Sequence, residues 1–145
     1  MRNQGYAVKQ VNTYLMFDGN CREAMQFYSE CLGAKLDLMS FADARAFDYP
    51  AEARDRVIHA KLTKGPVCLM ASDIMPGMSC QQGTNFSVSI DCESAEEIER
   101  LFSALGENGM VTMPLSDAFW GARFGMLKDQ FGINWMFNWD RPQDA

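Results

Sequence analysis

Acid–base chemistry in this chain centres on one residue, because its 145 residues include a single histidine, His59. An imidazole titrates closer to neutrality than any other unperturbed side chain, so His59 is the natural general base or metal ligand. It sits in Arg56 to Thr63, RVIHAKLT, whose alternation puts His59 with Val57 and Lys61, opposite a core set of Ile58, Ala60 and Leu62. His59 therefore points at a cavity or an interface, and a strand histidine at a sheet rim or dimer contact is the alternative. Trp120 and Arg123 flank the turn at Gly121, where a planar ring and a guanidinium can hold a carboxylate, a phosphate or a planar ligand. Trp120 can equally cap the open mouth of a sheet. A nucleophilic cysteine would need His59 as its partner, and Cys21, Cys31, Cys68, Cys80 and Cys92 form no CxxC pair. Their odd number reads as thiols in a reducing compartment. Ser87 and Ser89 have no relay partner nearby, and Asp43, Asp48, Glu52 and Asp55 have the spacing of a solvated loop. Met70, Met75, Met78, Met110, Met113, Met126 and Met136 can line an adaptable apolar pocket or fill a core.

The elements that position these residues repeat. Val11 to Phe17 reads as a strand ending at the turn Asp18-Gly19-Asn20. Asn20 with Glu23 fits a helix-capping pattern, Ala24, Phe27, Tyr28, Cys31 and Leu32 recur at helical spacing, and Gly33 stops the helix. Ala34 to Phe41 is a strand, Phe41 to Arg54 a polar connection, and Arg56 to Thr63 forms a hairpin with Val67 to Ala71 about Lys64-Gly65-Pro66. After the connection Ser72 to Thr84 the plan returns. Asn85 to Asp91 is a strand, Ser94 and Glu97 make a second capping box, and Ile98, Leu101, Phe102 and Leu105 follow before Gly106. Met110 to Leu115, Arg123 to Leu127 and Asn134 to Trp139 are the remaining strands. A shift of 73 residues superposes Leu15 on Val88, Phe17 on Ile90 and Leu32-Gly33 on Leu105-Gly106. The chain is thus β-α-β-β-β twice, over about 11–73 and 85–140, in a single α+β domain.

Two such halves imply antiparallel strands within each half, helices on one face of each sheet, and a concave face left for a ligand. If Leu15 and Phe17 pack under the helix, Asn12, Tyr14 and Met16 face the cavity, and by the repeat so do Asn85, Ser87 and Ser89. In the last strand Trp135, Phe137 and Trp139 are core and Asn134, Met136 and Asn138 face the cavity; the opposite phase, with Trp135 and Trp139 on the cavity, is the alternative.

Composition narrows the partners. A net charge of -6 with scattered basic residues argues against a nucleic-acid or anionic-membrane surface, since both reward clustered Lys and Arg. The apolar runs are short of a membrane span and the N-terminus lacks a secretory h-region, so a soluble cytoplasmic protein with a small-molecule ligand is expected.

Tyr14-Leu15-x-Phe17-x-Gly19-Asn20 with Ala24 and Phe27-Tyr28, then Leu32-Gly33-Ala34, His59-Ala60, Met70-x-Ser72-Asp73, Phe119-Trp120-Gly121 with Arg123-Phe124-Gly125, and Asp129-x-Phe131-Gly132-x-x-Trp135 together resemble the vicinal-oxygen-chelate superfamily of glyoxalase I, bleomycin-resistance proteins and extradiol dioxygenases. The closer resemblance is to its PhnB-like branch. It implies a glyoxalase/bleomycin-resistance-like fold, two βαβββ modules forming a curved mixed sheet around a cavity, and a homodimer. Metal-binding members place His or carboxylate ligands at inward positions that fall here on Asn12, Leu69 or Met70, Asn85 and Met136. None supplies the hard charged donor that a Lewis-acid site needs. The expectation is a small-molecule-binding protein with no cofactor and no metal, in which Tyr14, Asn85, Ser87, Trp120, Arg123 and Met136 contact the ligand. Any catalysis would use His59 as base. The alternatives are a divalent-metal-dependent lyase, isomerase or dioxygenase, with metal on Asn12, His59 and water, and a non-catalytic structural dimer. The name demethylubiquinone methyltransferase attached to this branch finds no Gly-rich strand-to-helix turn to support it.

Overall fold

The computed structural model describes residues 7–45 and 48–142. Its strands form two four-stranded sheets. The first holds β1 (Thr13–Phe17), β2 (Lys35–Ser40), β3 (Val57–Lys64) and β4 (Val67–Asp73) in the order β1-β4-β3-β2. The second holds β5 (Val88–Asp91), β6 (Met110–Asp117), β7 (Ala122–Lys128) and β8 (Asn134–Asp140) in the order β5-β8-β7-β6. Adding four to each strand number turns one order into the other, so the repeat read in the sequence is a repeat of topology.

The expected antiparallel pairing within each half needs correcting at its first strand. β1 pairs parallel with β4, and β5 parallel with β8. Each first strand is followed by a long helix, α1 (Cys21–Leu32) or α3 (Ala95–Leu105). That crossover lets it join the outer side of the last strand in the same direction. The strand expected to begin at Asn85 begins at Val88, so Asn85 and Ser87 lie ahead of β5. The connection Phe41 to Arg54 contains a short helix, α2 (Phe41–Ala44), and a 3-10 turn at Ala51–Ala53; residues 46 and 47 lie outside the described residues. Ser40 and Asp43 cap α2 reciprocally, and hydrogen bonds from Ser40 lower the Asp43 pKa.

Two compact units divide the chain. One runs to Gln26 and resumes over Ala34–Met78; the other takes Phe27–Gly33 and the residues from Ser79 onward. In the first, Leu15, Phe17, Val57, Ala60, Leu62, Leu69 and Ala71 are buried. Val57 belongs to this core rather than to the His59 face. Met39 pairs with His59 but Ser40 pairs with Val57, so Ile58 is a bulge residue that reverses the alternation.

In the second unit Trp135, Phe137 and Leu127 are buried with Ile98, Leu101 and Leu105 of α3. Phe102 meets Phe137 edge-on at 5.2 Å between centroids, and Tyr28 meets Trp135 at 5.3 Å. The amphipathic spacing of α3 and the alternation of β8 thus converge on one apolar layer. Ser94 caps α3 by accepting from the Glu97 amide at 3.1 Å, while the Glu97 carboxylate accepts from the Glu93 amide at 2.9 Å. The returning arm of the expected capping box therefore reaches one residue further back.

Three buried thiols, Cys21, Cys31 and Cys92, are expected to make stability fall in alkali. Burial first and Asp73 second push Cys21 from 9.0 up to about 12. Burial pushes Cys31 and Cys92 up to about 11, with Glu30 and Glu97 adding to it. Above pH 9 the unfolded chain therefore holds fewer protons than the folded one. The stability these three thiols contribute is fully present below that pH and is lost as pH rises toward 11 and 12. Urea melts at about pH 8 and about pH 10 should show a lower midpoint at the higher pH, with a smaller difference in Cys21→Ala. An equal difference in that variant would remove Cys21 from the explanation.

Candidate functional site

Pleating sends alternate side chains of the first sheet to opposite faces. Leu15 and Phe17 go to the core; Tyr14 and Met16, 42% and 48% exposed, go to the open face. Register then fixes their neighbours. Tyr14 stands abreast of Met70 on β4, which stands abreast of Lys61 on β3. His59 stands abreast of Met39, itself 46% exposed. The Tyr14 hydroxyl lies 3.3 Å from His59 Nδ1, with the rings 5.9 Å apart. Tyrosine can donate to the unprotonated Nδ1, or the Nδ1–H can donate to the phenol oxygen. In the second arrangement Nε2 is left as a free base, the form general-base chemistry needs. Ser72, which is buried, donates to the Met16 sulfur at 3.6 Å. The result is a polar pair bordered by Met16, Met39 and Met70, with Lys61 beside it.

On the second sheet Ser89, Met136, Met126 and Met113 stand abreast across β5, β8, β7 and β6. Met136 therefore sits in a row of thioethers. Asn85 is exposed and Ser87 half-buried, both ahead of this row. Trp120, 53% exposed, packs edge-on against Phe119 and Phe124 at 5.1 and 5.7 Å. Arg123 does not join it. It shares the face of Gly125 and Leu127, reaches Glu99 of α3 at 2.7 Å and lies 3.4 Å from Asp117. The structure thus brings Tyr14 and His59 together and sends Arg123 away from Trp120, onto the helix side of its sheet.

The positions at which the resemblance would place metal ligands carry side chains that do not suit a hard divalent ion. Asn12 lies ahead of β1, Met70 and Met136 offer thioethers, and the Met70 row includes the Lys61 ammonium. Among the described residues no three His, Cys, Asp or Glu side chains come close enough to share a metal ion.

The sequence gives no role to Met39, which register alone brings to His59, and it offers Asp73 and Asp129 only as parts of motifs, with no sign that both are buried acceptors. Asp73 Oδ1 accepts from the amides of Gly19 and Cys21 at 2.9 and 3.0 Å, and its Oδ2 from the Val57 amide at 2.9 Å. Gly19, at φ 93, makes the turn that aims those amides at one oxygen. Asp129 accepts from Tyr28, Trp135 and two backbone amides. The only local signal for Asp129 is its turn sequence, Asp-Gln-Phe-Gly.

Residues 9–137 match the family described as 3-demethylubiquinone-9 3-methyltransferase. Protein YjdN of Escherichia coli K12 is 32% identical over 139 residues, covering 88% of this chain and 93% of YjdN. The crystal structure of protein PA1353 from Pseudomonas aeruginosa is 43% identical, with a TM-score of 0.83 over 93% of this chain and 100% of that one. A putative 3-demethylubiquinone-9 3-methyltransferase, PhnB protein, from Bacillus cereus is 26% identical, with a TM-score of 0.75 over 90% and 99% of the two chains. A glyoxylase/bleomycin resistance protein/dioxygenase domain from Frankia sp. EAN1pec shares the fold at 14% identity, with a TM-score of 0.66 over 95% and 96%. The chain, matched over nearly its whole length, therefore belongs to the 3-demethylubiquinone-9 3-methyltransferase family, the PhnB-like branch of the glyoxalase/bleomycin-resistance fold.

Proposed function

We propose that this protein binds a small organic molecule, without a metal, on the open face of its first sheet. The observation that carries the reading is the Tyr14–His59 pair on an exposed surface bordered by Met16, Met39 and Met70. Methionines adapt their shape to planar or irregular apolar ligands, and the paired phenol and imidazole give one hydrogen-bonding handle. Trp120, exposed beside Phe119, is a second stacking platform. Arg123 is engaged with Glu99 and is not assigned a ligand.

Methyl transfer from a nucleotide-like donor fits this chain poorly, whatever the family description. Such cofactors place phosphate or carboxylate groups at the helix start after the first strand, where backbone amides converge. Here the Asp73 carboxylate already occupies the Gly19 and Cys21 amides. An acid–base activity is the second reading, favoured by the exposure of His59, whose Nδ1 alone is held by Tyr14.

We read the protein as a cytoplasmic homodimer. Five free thiols support the compartment. Exposed apolar groups support a second copy, Phe119 at 98% and Met110 at 64% among them. Among the described residues no helix is long and apolar enough to cross a membrane.

A thermal-shift screen of phenolic acids and planar aromatic antibiotics tests the ligand site. At about a hundred times its Kd, a true ligand stabilises by about 2.7 kcal/mol and raises Tm by about 5–10 °C. His59→Ala should weaken it about tenfold, and Tyr14→Phe about threefold. Binding that chelator abolishes, or that His59→Ala leaves intact, would defeat the reading.

A further inference from the structure

Away from that face, the second unit contains a groove of about 360 Å3 lined by Phe27, Glu30, Cys31, Ala104, Glu107 and Gln130. Two helices end there. Neither α1 nor α3 has a basic residue in its last turn, so the partial negative charge of each C-terminus adds to the Glu30 and Glu107 carboxylates. Arg100 answers part of this charge by donating to the Cys31 carbonyl at 3.2 Å. Among the described residues Glu30 and Glu107 have no ion-pair partner.

Cys31 forms the floor of the groove on the core side. It is 7% exposed, it lines the groove, and its thiol has no hydrogen-bond partner among the described residues. Burial, then Glu30 and Glu107, push that thiol up to about 11, so the lining carries negative potential that Arg100 only partly offsets. Phe27 is braced by Phe131 at 5.6 Å and offers an aromatic surface. Gln130 commits its amide nitrogen to the Glu107 carbonyl at 3.3 Å, which leaves its oxygen as the end able to accept.

We propose that this groove binds a small organic cation, an alkylammonium or polyamine, with ammonium groups on Glu30 and Glu107 and its carbon chain over Phe27. Carboxylates and an acceptor amide suit an ammonium, and an aromatic face suits both the charge and the methylenes. A metal ion fits less well, since no three acidic, thiol or imidazole groups gather closely enough among the described residues.

The test is calorimetric titration of the full chain with the alkyl diamine cadaverine at about 0.15 M salt, which screens diffuse attraction. Saturable one-to-one binding is expected. Glu30→Gln and Glu107→Gln should each weaken it about three- to tenfold, and the double variant should abolish it. Both glutamates are exposed, so the variants should keep the parent melting curve. Glu52→Gln removes the same charge from an exposed position in the first unit and should leave the affinity unchanged. No saturable binding, binding indifferent to Glu30→Gln and Glu107→Gln, or equal weakening by Glu52→Gln overturns the proposal.

Discussion

Asp129→Ala is expected to lose about 3–5 kcal/mol of folding stability and to melt about 10 °C earlier than the parent. Its carboxylate is 4% exposed and is the meeting point of four donors. Oδ2 accepts from the Tyr28 hydroxyl at 2.6 Å and the Trp135 indole at 2.8 Å. Oδ1 accepts from the Phe131 and Ile133 amides at 2.8 and 3.0 Å. Alanine would strand all four donors where water cannot easily reach them, and each costs about 1–3 kcal/mol if it finds no substitute. Relaxation of the β7–β8 turn recovers part of that sum. Tyr28→Phe removes only one donor and should cost about 1 kcal/mol. Urea denaturation of both variants gives the comparison; if Asp129→Ala matched Tyr28→Phe, the four-donor account would fail.

Asp73→Ala should cost the first unit about 2–4 kcal/mol, for a related reason. This carboxylate, 5% exposed, serves the start of α1 through Gly19 and Cys21 and the start of β3 through Val57. Without it, three backbone amides lose their acceptor and the helix N-terminus loses the negative charge facing its dipole. Asp73→Asn should fall between parent and alanine, because an amide can accept on its oxygen alone. Hydrogen exchange read by NMR should show the Cys21 and Val57 amides exchanging faster in both variants. Unchanged protection of those two amides would show that another acceptor does the work.

The repeat was legible because it rests on one-sided burial, which leaves its period in the sequence. Leu15 and Phe17, Trp135 and Phe137, and the Ile98-Leu101-Leu105 spacing all mark faces that the structure buries. The start of α3 was legible because Ser94 reaches only to the Glu97 amide. Features that depend on register or on distant partners were not. Nothing near Ile58 marks the bulge that moves Val57 into the core, because the slip is set by pairing with β2. Tyr28 meets Asp129 across 101 positions, and Asp73 meets Gly19 across 54. Arg123 is a different case. Its parity with the apolar Leu127 was available in the sequence and already pointed it toward the helix side.

The candidate site shows the same division. Pleating put Tyr14 on the face opposite Leu15 and Phe17, and periodicity left His59 outside the core set, but only the order β1-β4-β3-β2 explains their meeting across an intervening strand. That Met70 and Met136 offer thioethers rather than hard oxygen or nitrogen donors follows from residue type alone and needs no register.

A repeated topology suggests parts that can be separated, and α1 argues otherwise here. The topology repeats at the halves of the chain, yet Phe27–Gly33 belongs with the later unit. A fragment beginning at Ser79 would keep the four strands β5 to β8 and the helix α3, but not Tyr28. It would leave the Asp129 oxygen without its phenol and the Trp135 ring without one edge of its packing. A fragment ending at Met78 would carry a helix whose last turns had lost their setting. A split version of this protein would therefore have to be cut so that the second piece receives its own replacement for residues 27–33.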